Sequence, residues 1–165
     1  MAYCVEITKA GSPSALSIKE IEIPSPGNDE ICINVHYAGI NFADILMRLG
    51  LYNPRPPYPF TPGYEVSGVV HSIGSDVTEF KVGQRVVAAM PTGGQCSHVA
   101  VKVSRVISIP DEMSLDEAAA IPVTYLTAHH MLHHIGHLEQ GETVLIHGGA
   151  GGVGTAALQL CQWAG

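Results

Sequence analysis

The feature that most constrains the fold is a run of small residues from His147 to Gly154, with the sequence HGGAGGVG. Residues 143–147 before it have the apolar pattern of a β-strand, and residues 151–164 after it are apolar and spaced as in a helix. A glycine-rich turn that leaves a strand and opens a helix is typical of the first unit of a doubly wound, dinucleotide-binding domain. Because such a parallel sheet needs several strands, we expect the rest of that domain to follow Gly165.

The same turn predicts a site for a pyrophosphate group. Glycines let backbone N–H groups approach an anion, and the N-terminus of the following helix offers further N–H groups. The candidate cofactor-binding residues are Gly149, Ala150, Gly151, Gly152, Val153 and Gly154. A turn that binds nothing is the alternative, whereas a P-loop is excluded because no Gly-Lys-Ser/Thr ending is present. The residue that would distinguish NADPH from NADH is expected about 20 positions later, beyond the chain.

The first 110 residues or so have a β-rich pattern. Short, alternating, β-branched segments are broken by glycine and proline, which predicts a barrel or a sandwich. The predicted strands cover residues 16–23, 31–37, 66–73, 85–89 and 98–109.

From Ser114 the hydrophobic period becomes helical. Ser114 and Glu117 form a capping-box pattern, which predicts a helix through the alanines 118–120 that Pro122 then interrupts. A second helix is predicted over about 124–135, ended by Gly136. The fold class is therefore predicted as α+β to α/β, with a β-rich domain over residues 1–120 and the start of a dinucleotide-binding domain over 121–165.

Composition excludes several classes of function. With 46% hydrophobic and 14% charged residues, the chain is expected to be globular. Eight basic residues against fifteen acidic ones predict no nucleic-acid partner. No apolar run reaches the roughly 18 to 20 residues of a membrane span and no signal peptide is recognisable, so a cytoplasmic location is expected. The four cysteines, Cys4, Cys32, Cys96 and Cys161, form no CxxC pair and are expected to be reduced.

Three stretches resemble the quinone oxidoreductase branch of the medium-chain dehydrogenase/reductase superfamily. They are GINFAD at 39–44 with GLY at 50–52, TPGYE at 61–65 with GVV at 68–70, and the turn at 147–154. Residues 121–128 and 157–161 also resemble homologues of the vesicle amine transport protein, within the same branch. The resemblance covers essentially the whole chain. It implies a GroES-like β-barrel domain followed by the first strand and helix of a Rossmann domain, and a homo-oligomer.

The resemblance also implies which residues form the site. Asn41, Asp44 and Tyr52 are expected near the nicotinamide and the substrate, as catalytic residues, with Asn41 also contacting the cofactor. Thr127 is expected to hydrogen-bond the carboxamide of the cofactor. Each has a purely structural alternative: Asn41 and Asp44 as caps of a helix over 45–48, Tyr52 as a packing aromatic, and Thr127 as a donor to its own helix.

A catalytic zinc is not expected. Zinc-dependent members of the superfamily place cysteine and histidine ligands where this chain has Asn41 and Tyr64, and an amide and a phenol are poor zinc ligands. The four-cysteine structural zinc lobe has no counterpart near residues 86–96. We therefore predict no metal site.

Two further patterns have more than one interpretation. Five histidines, His129, His130, His133, His134 and His137, include i, i+4 pairs that can chelate a transition metal or form a solvated face, and we favour the solvated face. Five prolines at positions 54, 56, 57, 59 and 62 predict a stiff loop at the edge of a cleft, with an SH3-type ligand as the alternative.

These observations lead to one function hypothesis and two rivals. The first is an oxidoreductase that transfers a hydride from NADPH, or NADH, to a quinone or an α,β-unsaturated carbonyl without zinc. The 165 residues alone are expected to be inactive, because most of the adenosine pocket would lie beyond them. The rivals are a nucleotide-binding sensor or trafficking protein of the vesicle type and a non-catalytic GroES-like interaction module.

Overall fold

The computed structural model describes residues 1–53 and 55–165. Pro54, the first proline of the segment predicted as a stiff loop, lies outside the described residues. The chain divides into two compact units, Met1–Ala119 and Ala120–Gly165.

The first unit is built on two antiparallel sheets. Strands β1 (Ala2–Ile7) and β2 (Leu16–Ile21) pair with each other. A five-stranded sheet contains β3 (Glu30–Ala38), β4 (Glu65–Ile73), β5 (Arg85–Ala89), β6 (His98–Lys102) and β7 (Val106–Ser108), in the spatial order β6-β3-β4-β5-β7. Register shifts in the pairing of β3 with β4 mark bulges, and bulges bend a sheet and increase its twist. The predicted β-rich unit is therefore observed.

Residues 98–109 were predicted as one strand, and this prediction was wrong. β6 pairs with β3 at one edge of the sheet, whereas β7 pairs with β5 at the other edge. A turn of 3-10 helix over Val103–Arg105 separates them. A single straight strand cannot lie at both edges, so the chain must break between them.

The core of this unit lies against the five-stranded sheet. The buried β-branched side chains come from alternate positions of neighbouring strands, as expected where one face of a pleated sheet is covered. They include Ile31 and Ile33 of β3, Val66 and Val70 of β4, and Val86 of β5. Burial of this apolar surface is what stabilises the frame that holds the loops at its edge.

Two helices complete the first unit. Helix α1 (Phe42–Leu49) starts after Asn41 and ends at Gly50, which has the left-handed conformation (φ 75°) common at helix ends. Helix α2 (Leu115–Ala119) starts with the predicted capping box: the Ser114 N–H donates to Glu117 Oε2 at 3.1 Å, and the Glu117 N–H donates to Ser114 Oγ at 3.4 Å. Both N-termini are thus determined by local sequence.

The second unit consists of two helical segments and the connection between them. Helix α3 (Pro122–His129) has proline in its first turn, where no intrahelical N–H bond is lost, and continues as a π-helical segment, His130–Ile135, up to Gly136. Helix α4 (Gly152–Ala164) follows the glycine-rich turn. The two helices pack through the small buried residues Ala128, Ala156 and Ala157.

The predicted strand over residues 143–147 is not present as a strand. Strand pairing needs a neighbour, and no described residue pairs with this segment. Leu145 is correspondingly 82% exposed, whereas Ile146 packs against the buried alanines of the two helices. No helix in the described part of the chain is both long and apolar enough to cross a membrane.

Candidate active site and coenzyme-binding turn

In the first unit, the loop before α1 is held by a reciprocal cap. The Asn41 N–H donates to Asp44 Oδ2 at 2.9 Å, while the Asp44 N–H donates to the Asn41 carbonyl oxygen at 3.0 Å. The structural alternative for these two residues is thus present. This cap does not exclude a role of Asn41 in binding, because its side chain is only half-buried and its side-chain amide donates to Glu65 rather than to the helix.

Asp44 also binds a second loop. Its Oδ1 accepts a hydrogen bond from the Gly63 N–H at 2.9 Å, so both carboxylate oxygens are used by backbone donors. Asp44 is only 5% exposed; burial raises the pKa of its carboxyl, and the N–H groups of Asn41 and Gly63 act in the opposite direction. The side chain therefore fixes residues 41–44 relative to residues 61–65, which suits positioning rather than proton transfer.

Gly63 must be glycine at this position. Its φ of +103° is unfavourable for other residues, and a Cβ atom would lie 2.6 Å from the backbone nitrogen of Gln95. The close approach allows the Gly94 N–H to donate to the Gly63 carbonyl oxygen at 3.0 Å and the Gln95 N–H to donate to the Pro62 carbonyl oxygen at 2.9 Å. A third segment, residues 93–97, is thereby attached to the site.

Sequence reasoning missed Glu65 as a site residue. It is 2% exposed at the start of β4, and its Oε1 accepts a hydrogen bond from Asn41 Nδ2 at 2.8 Å. This contact orients the Asn41 amide, since its nitrogen must face the carboxylate. A glutamate directly before an apolar strand, Val66 to Val70, was the available signal, because a buried charge in such a place is rarely without a partner.

Tyr52 and Tyr64 lie together beside this loop. Tyr52 is 36% exposed, and Tyr64 is half-buried with its hydroxyl 3.7 Å from the Met47 sulfur. Burial, together with smaller contributions from Tyr52 and the Asp44 charge, raises the pKa of Tyr64 to about 12. The Tyr64 phenol is therefore expected to be a neutral hydrogen-bond donor at neutral pH. The partial exposure of Tyr52 leaves part of its side chain available for contact with a substrate.

Thr127 lies in the second unit, exposed on α3. Thr124, also on α3, donates its hydroxyl to the carbonyl oxygen of Ala120, the residue four positions earlier, at 2.6 Å. No such bond from the Thr127 hydroxyl is found among the described residues. Its role in contacting a carboxamide remains a prediction.

The glycine-rich turn fits a pyrophosphate in two respects. Gly151 precedes α4 with no side-chain cap, so the N–H groups of the first helical turn lack an intrahelical partner and point outward. A Cβ atom on Gly154 would lie 2.3 Å from the Gly148 carbonyl oxygen and 2.7 Å from the Gly149 Cα atom. The turn therefore folds back closely on the helix, which only a residue without a side chain permits.

The histidines of α3 and the following π-helical segment form two ring contacts. The ring centroids of His129 and His133 are 4.7 Å apart, and those of His130 and His134 are 5.2 Å apart. Within residues 1–53 and 55–165, no group of three or more His, Cys, Asp or Glu side chains could hold a metal ion. His129, His130 and His134 are exposed, as expected of a solvated face, whereas His133 is half-buried and its Nε2 has no hydrogen-bond partner among the described residues.

The described groups can position and polarise, but they provide no activated nucleophile. An amide held by a buried carboxylate, two phenols and a separate glycine-rich turn without a side-chain cap are compatible with a reaction in which a bound coenzyme performs the chemistry. The curled antiparallel sheet, with this loop at its edge, is the frame that positions these groups.

Comparison with known proteins identifies the family of the first unit. The family model of the alcohol dehydrogenase GroES-like domain matches residues 27–111. The synaptic vesicle membrane protein VAT-1 homolog of Danio rerio is 44% identical over 139 residues, which are 84% of this chain and 29% of that protein. The quinone oxidoreductase of Pongo abelii is 34% identical over 160 residues, which are 96% of this chain and 49% of that protein.

Solved structures show the same relationship. The human VAT-1 homolog-like protein superposes with a TM-score of 0.96 at 36% identity, over 99% of this chain and 53% of that one. The CurK enoyl reductase gives 0.94 at 33% identity, over 99% and 52%. The quinone oxidoreductase of Thermus thermophilus, solved also in complex with NADPH, gives 0.85 at 36% identity, over 99% and 50%.

The chain belongs to the alcohol dehydrogenase GroES-like domain family, and its structural neighbours are members of the medium-chain dehydrogenase/reductase superfamily. The resemblance and the fold class expected from the sequence are thus confirmed. The chain spans about a third to a half of the length of these relatives.

The zinc-free interpretation leads to a direct prediction. Asn41 and Tyr64 both lie beside Asp44, but neither is a good zinc ligand. After dialysis against a chelator, elemental analysis is expected to find well under one zinc per chain. A His129→Ala/His133→Ala variant controls for capture by the histidine pair. Stoichiometric zinc that persists in this variant and disappears in Asn41→Ala would contradict the prediction.

Proposed function

We propose that this chain provides the substrate-side domain and the pyrophosphate-binding turn of a zinc-independent reductase that uses NADPH to reduce quinones or α,β-unsaturated carbonyls. The observation that carries this proposal is the joint presence of the Asn41–Glu65 amide clamp and the uncapped turn before α4 in one chain. The relatives named as quinone oxidoreductases and enoyl reductases support the substrate class, and the neighbour solved with NADPH supports the coenzyme.

In this proposal, residues of the second unit bind the coenzyme, and residues of the first unit contact the nicotinamide and the substrate. The N–H groups of the first turn of α4, with residues 149–154, would bind the pyrophosphate, and Thr127 would bind the carboxamide. Asn41, oriented by Glu65 and by the cap from Asp44, would contact the nicotinamide side of the site. Bound NADPH supplies the hydride, and conjugation in the substrate spreads the charge that develops on its oxygen. The Tyr52 hydroxyl would donate a hydrogen bond to that oxygen.

Exposed apolar residues suggest what else the functional protein contains. Leu145 is 82% exposed and Trp163 is 84% exposed in the second unit. Apolar surface of this kind is normally covered, and the relatives extend well beyond the matched length. We therefore propose that further strands of a Rossmann sheet cover this surface. The 165 residues alone should then bind NADPH with a dissociation constant no lower than about millimolar, a binding free energy weaker than roughly 4 kcal/mol, and should not turn over substrate.

The test is steady-state oxidation of NADPH by the protein at its full natural length, with a small quinone and with an enone as acceptors. Turnover that requires both partners is expected, and NADH serves as the matched coenzyme control. A protein that binds neither coenzyme would overturn the proposal and favour an interaction module.

A second candidate function is a nucleotide-binding component of the VAT-1 type. It is favoured by the higher identity to the VAT-1 homolog, 44% against 34% for the quinone oxidoreductase. The same assay separates the two candidates. Saturable NADPH binding without turnover of any quinone or enone would support this second function and exclude the first.

Tyr52 provides a more specific prediction. If its hydroxyl donates to the substrate oxygen in the transition state, Tyr52→Phe should lower kcat on the order of tenfold to a thousandfold, as for loss of one oxyanion donor. Coenzyme affinity should not change, since the donor acts only on the substrate. Tyr37→Phe, at a tyrosine on β3 that is 49% exposed, is the matched control. Wild-type kcat in Tyr52→Phe would assign Tyr52 to packing.

A further inference from the structure

Two cysteines, far apart in sequence, face each other across a strand-like contact in the first unit. Cys4 lies in β1, and Cys96 lies in the segment 93–97 that precedes β6. The Val5 N–H donates to the Gln95 carbonyl oxygen at 2.8 Å, and the Ser97 N–H donates to the Tyr3 carbonyl oxygen at 2.8 Å. These two bonds flank Cys4 and Cys96 on either side.

This hydrogen-bond pattern determines how close the two residues are. In an antiparallel pair, residues enclosed by bonds between their neighbours form a non-hydrogen-bonded pair, with Cα atoms about 4.5 Å apart and side chains on the same face. Disulfides form at Cα separations of about 4.4 to 6.8 Å. The backbone therefore already holds the two thiols at bonding separation, and only a small approach of the Cβ atoms is needed.

Both cysteines line cavities at the surface of the first unit. Cys4 and Cys96 line one cavity of about 440 Å³ together with Ile40, which directly precedes Asn41. They also line a second cavity of about 530 Å³, with His98 and Lys19. Cys4 is 8% exposed and Cys96 is half-buried, and the Cys96 thiol donates to the Gly93 carbonyl oxygen at 3.0 Å. Burial, and next the nearby Cys4, raises the pKa of Cys96 to about 12, so Cys96 is held as a thiol.

We propose that Cys4 and Cys96 form a dithiol site that small disulfides, such as oxidised glutathione, convert into an intramolecular disulfide. One thiol of the pair loses its proton and the resulting thiolate attacks one sulfur of the oxidant, releasing a glutathione thiolate that takes up a proton. The second thiol of the pair then loses its proton and attacks the mixed disulfide, and the other glutathione leaves and takes up a proton. In sum, two protein thiols and one oxidised glutathione give one protein disulfide and two reduced glutathiones.

The bond would act on the candidate active site through backbone contacts that already exist. Segment 93–97 holds residues 62 and 63 through the two hydrogen bonds from Gly94 and Gln95, and the Gly63 N–H binds Asp44. Oxidation would tie β1 to this same segment and draw the Cys96 sulfur from the Gly93 carbonyl oxygen. The site thus takes a disulfide oxidant as its substrate class and sets the rigidity of the loop that positions Asp44.

The experiment uses the 165-residue chain, reduced, desalted and then exposed to oxidised glutathione. Free thiols are blocked with N-ethylmaleimide in denaturant, and trypsin digestion is followed by mass spectrometry. The expected result is the loss of two of the four thiols and a linked peptide that joins residues 1–9 to residues 86–102. Cys161→Ser is the matched control and should keep the linked peptide, whereas Cys4→Ser and Cys96→Ser should each lose it.

A stability measurement provides a second readout. A disulfide between Cys4 and Cys96 closes the long loop that separates them in sequence, which should raise the melting temperature of the oxidised chain by about 5 °C or more. The rise should be absent in Cys4→Ser treated in the same way. Four free thiols after oxidation, glutathione adducts without a linked peptide, or a link that contains Cys32 would each overturn the proposal.

Discussion

Replacement of Asp44 by Ala is expected to destabilise the first unit by about 3 to 5 kcal/mol, since it leaves two backbone donors without partners and removes a helix cap. The N–H groups of Asn41 and Gly63 both donate to this carboxylate at 2.9 Å, and the side chain is only 5% exposed. Each kcal/mol of lost stability lowers the melting temperature by a few degrees in a domain of this size, so a fall on the order of 10 to 20 °C is expected. The loss is a large part of the total, since few domains exceed about 15 kcal/mol of stability. Thermal unfolding of the 165-residue chain, followed by circular dichroism, measures it.

Two variants make the Asp44 result specific. Asp111→Ala removes an exposed carboxylate from the same unit and should leave the melting temperature nearly unchanged. Asp44→Asn keeps the shape of the side chain but turns one acceptor oxygen into an NH2 donor that faces a backbone N–H. The melting temperature of this variant should therefore remain well below that of the wild type. An Asp44→Ala chain as stable as Asp111→Ala would show that the two loops do not depend on this carboxylate.

The N-terminal sheet could be predicted because its signal is local. The alternation of residues in β3, β4 and β5 and the glycine and proline breaks are visible in the sequence, and the capping box at Ser114 determines where α2 begins. The break between β6 and β7 could not be predicted in this way. It depends on which edge each strand joins, and strand pairing is a long-range property that the alternation of one segment does not contain.

The second unit shows the converse limit. The turn and helix α4 follow from small residues and helical spacing, but the predicted strand at 143–147 is not observed because strand structure requires a partner. The helix predicted over 124–135 ends at Gly136 as expected, but it begins at Pro122 and becomes π-helical from His130. Proline fits the first turn of a helix, so the residue that interrupts one helix opens the next.

The candidate site was predicted from motifs, and the physical reasons for those motifs became visible only in three dimensions. Asn41 and Asp44 were named together, but the carboxylate of Glu65 that orients Asn41 comes from the next motif along the chain. The same holds for Cys4 and Cys96, which form no sequence pattern and meet only because β1 runs alongside segment 93–97. Contacts between distant segments depend on topology, which local spacing does not specify.

Gly152→Asp, in the protein at its full natural length, is expected to weaken NADPH binding at least about tenfold, roughly 1.4 kcal/mol. Gly152 is the first residue of α4, where the helix dipole and unpaired N–H groups favour an anion. A carboxylate at this position would compete with the pyrophosphate for those groups and repel its charge. Titration calorimetry or quenching of protein fluorescence measures the change in dissociation constant.

A matched variant separates charge from bulk. A Cβ atom on Gly152 would lie 3.0 Å from Thr124 Cγ2, which belongs to a side chain rather than to backbone. Gly152→Ala should therefore lose less affinity than Gly152→Asp, and the difference between the two should shrink as salt screens the repulsion. Equal losses of NADPH affinity in the two variants would mean that the added bulk, and not the added charge, weakens binding. Unchanged affinity in a folded Gly152→Asp protein would place the phosphates somewhere other than the N-terminus of α4.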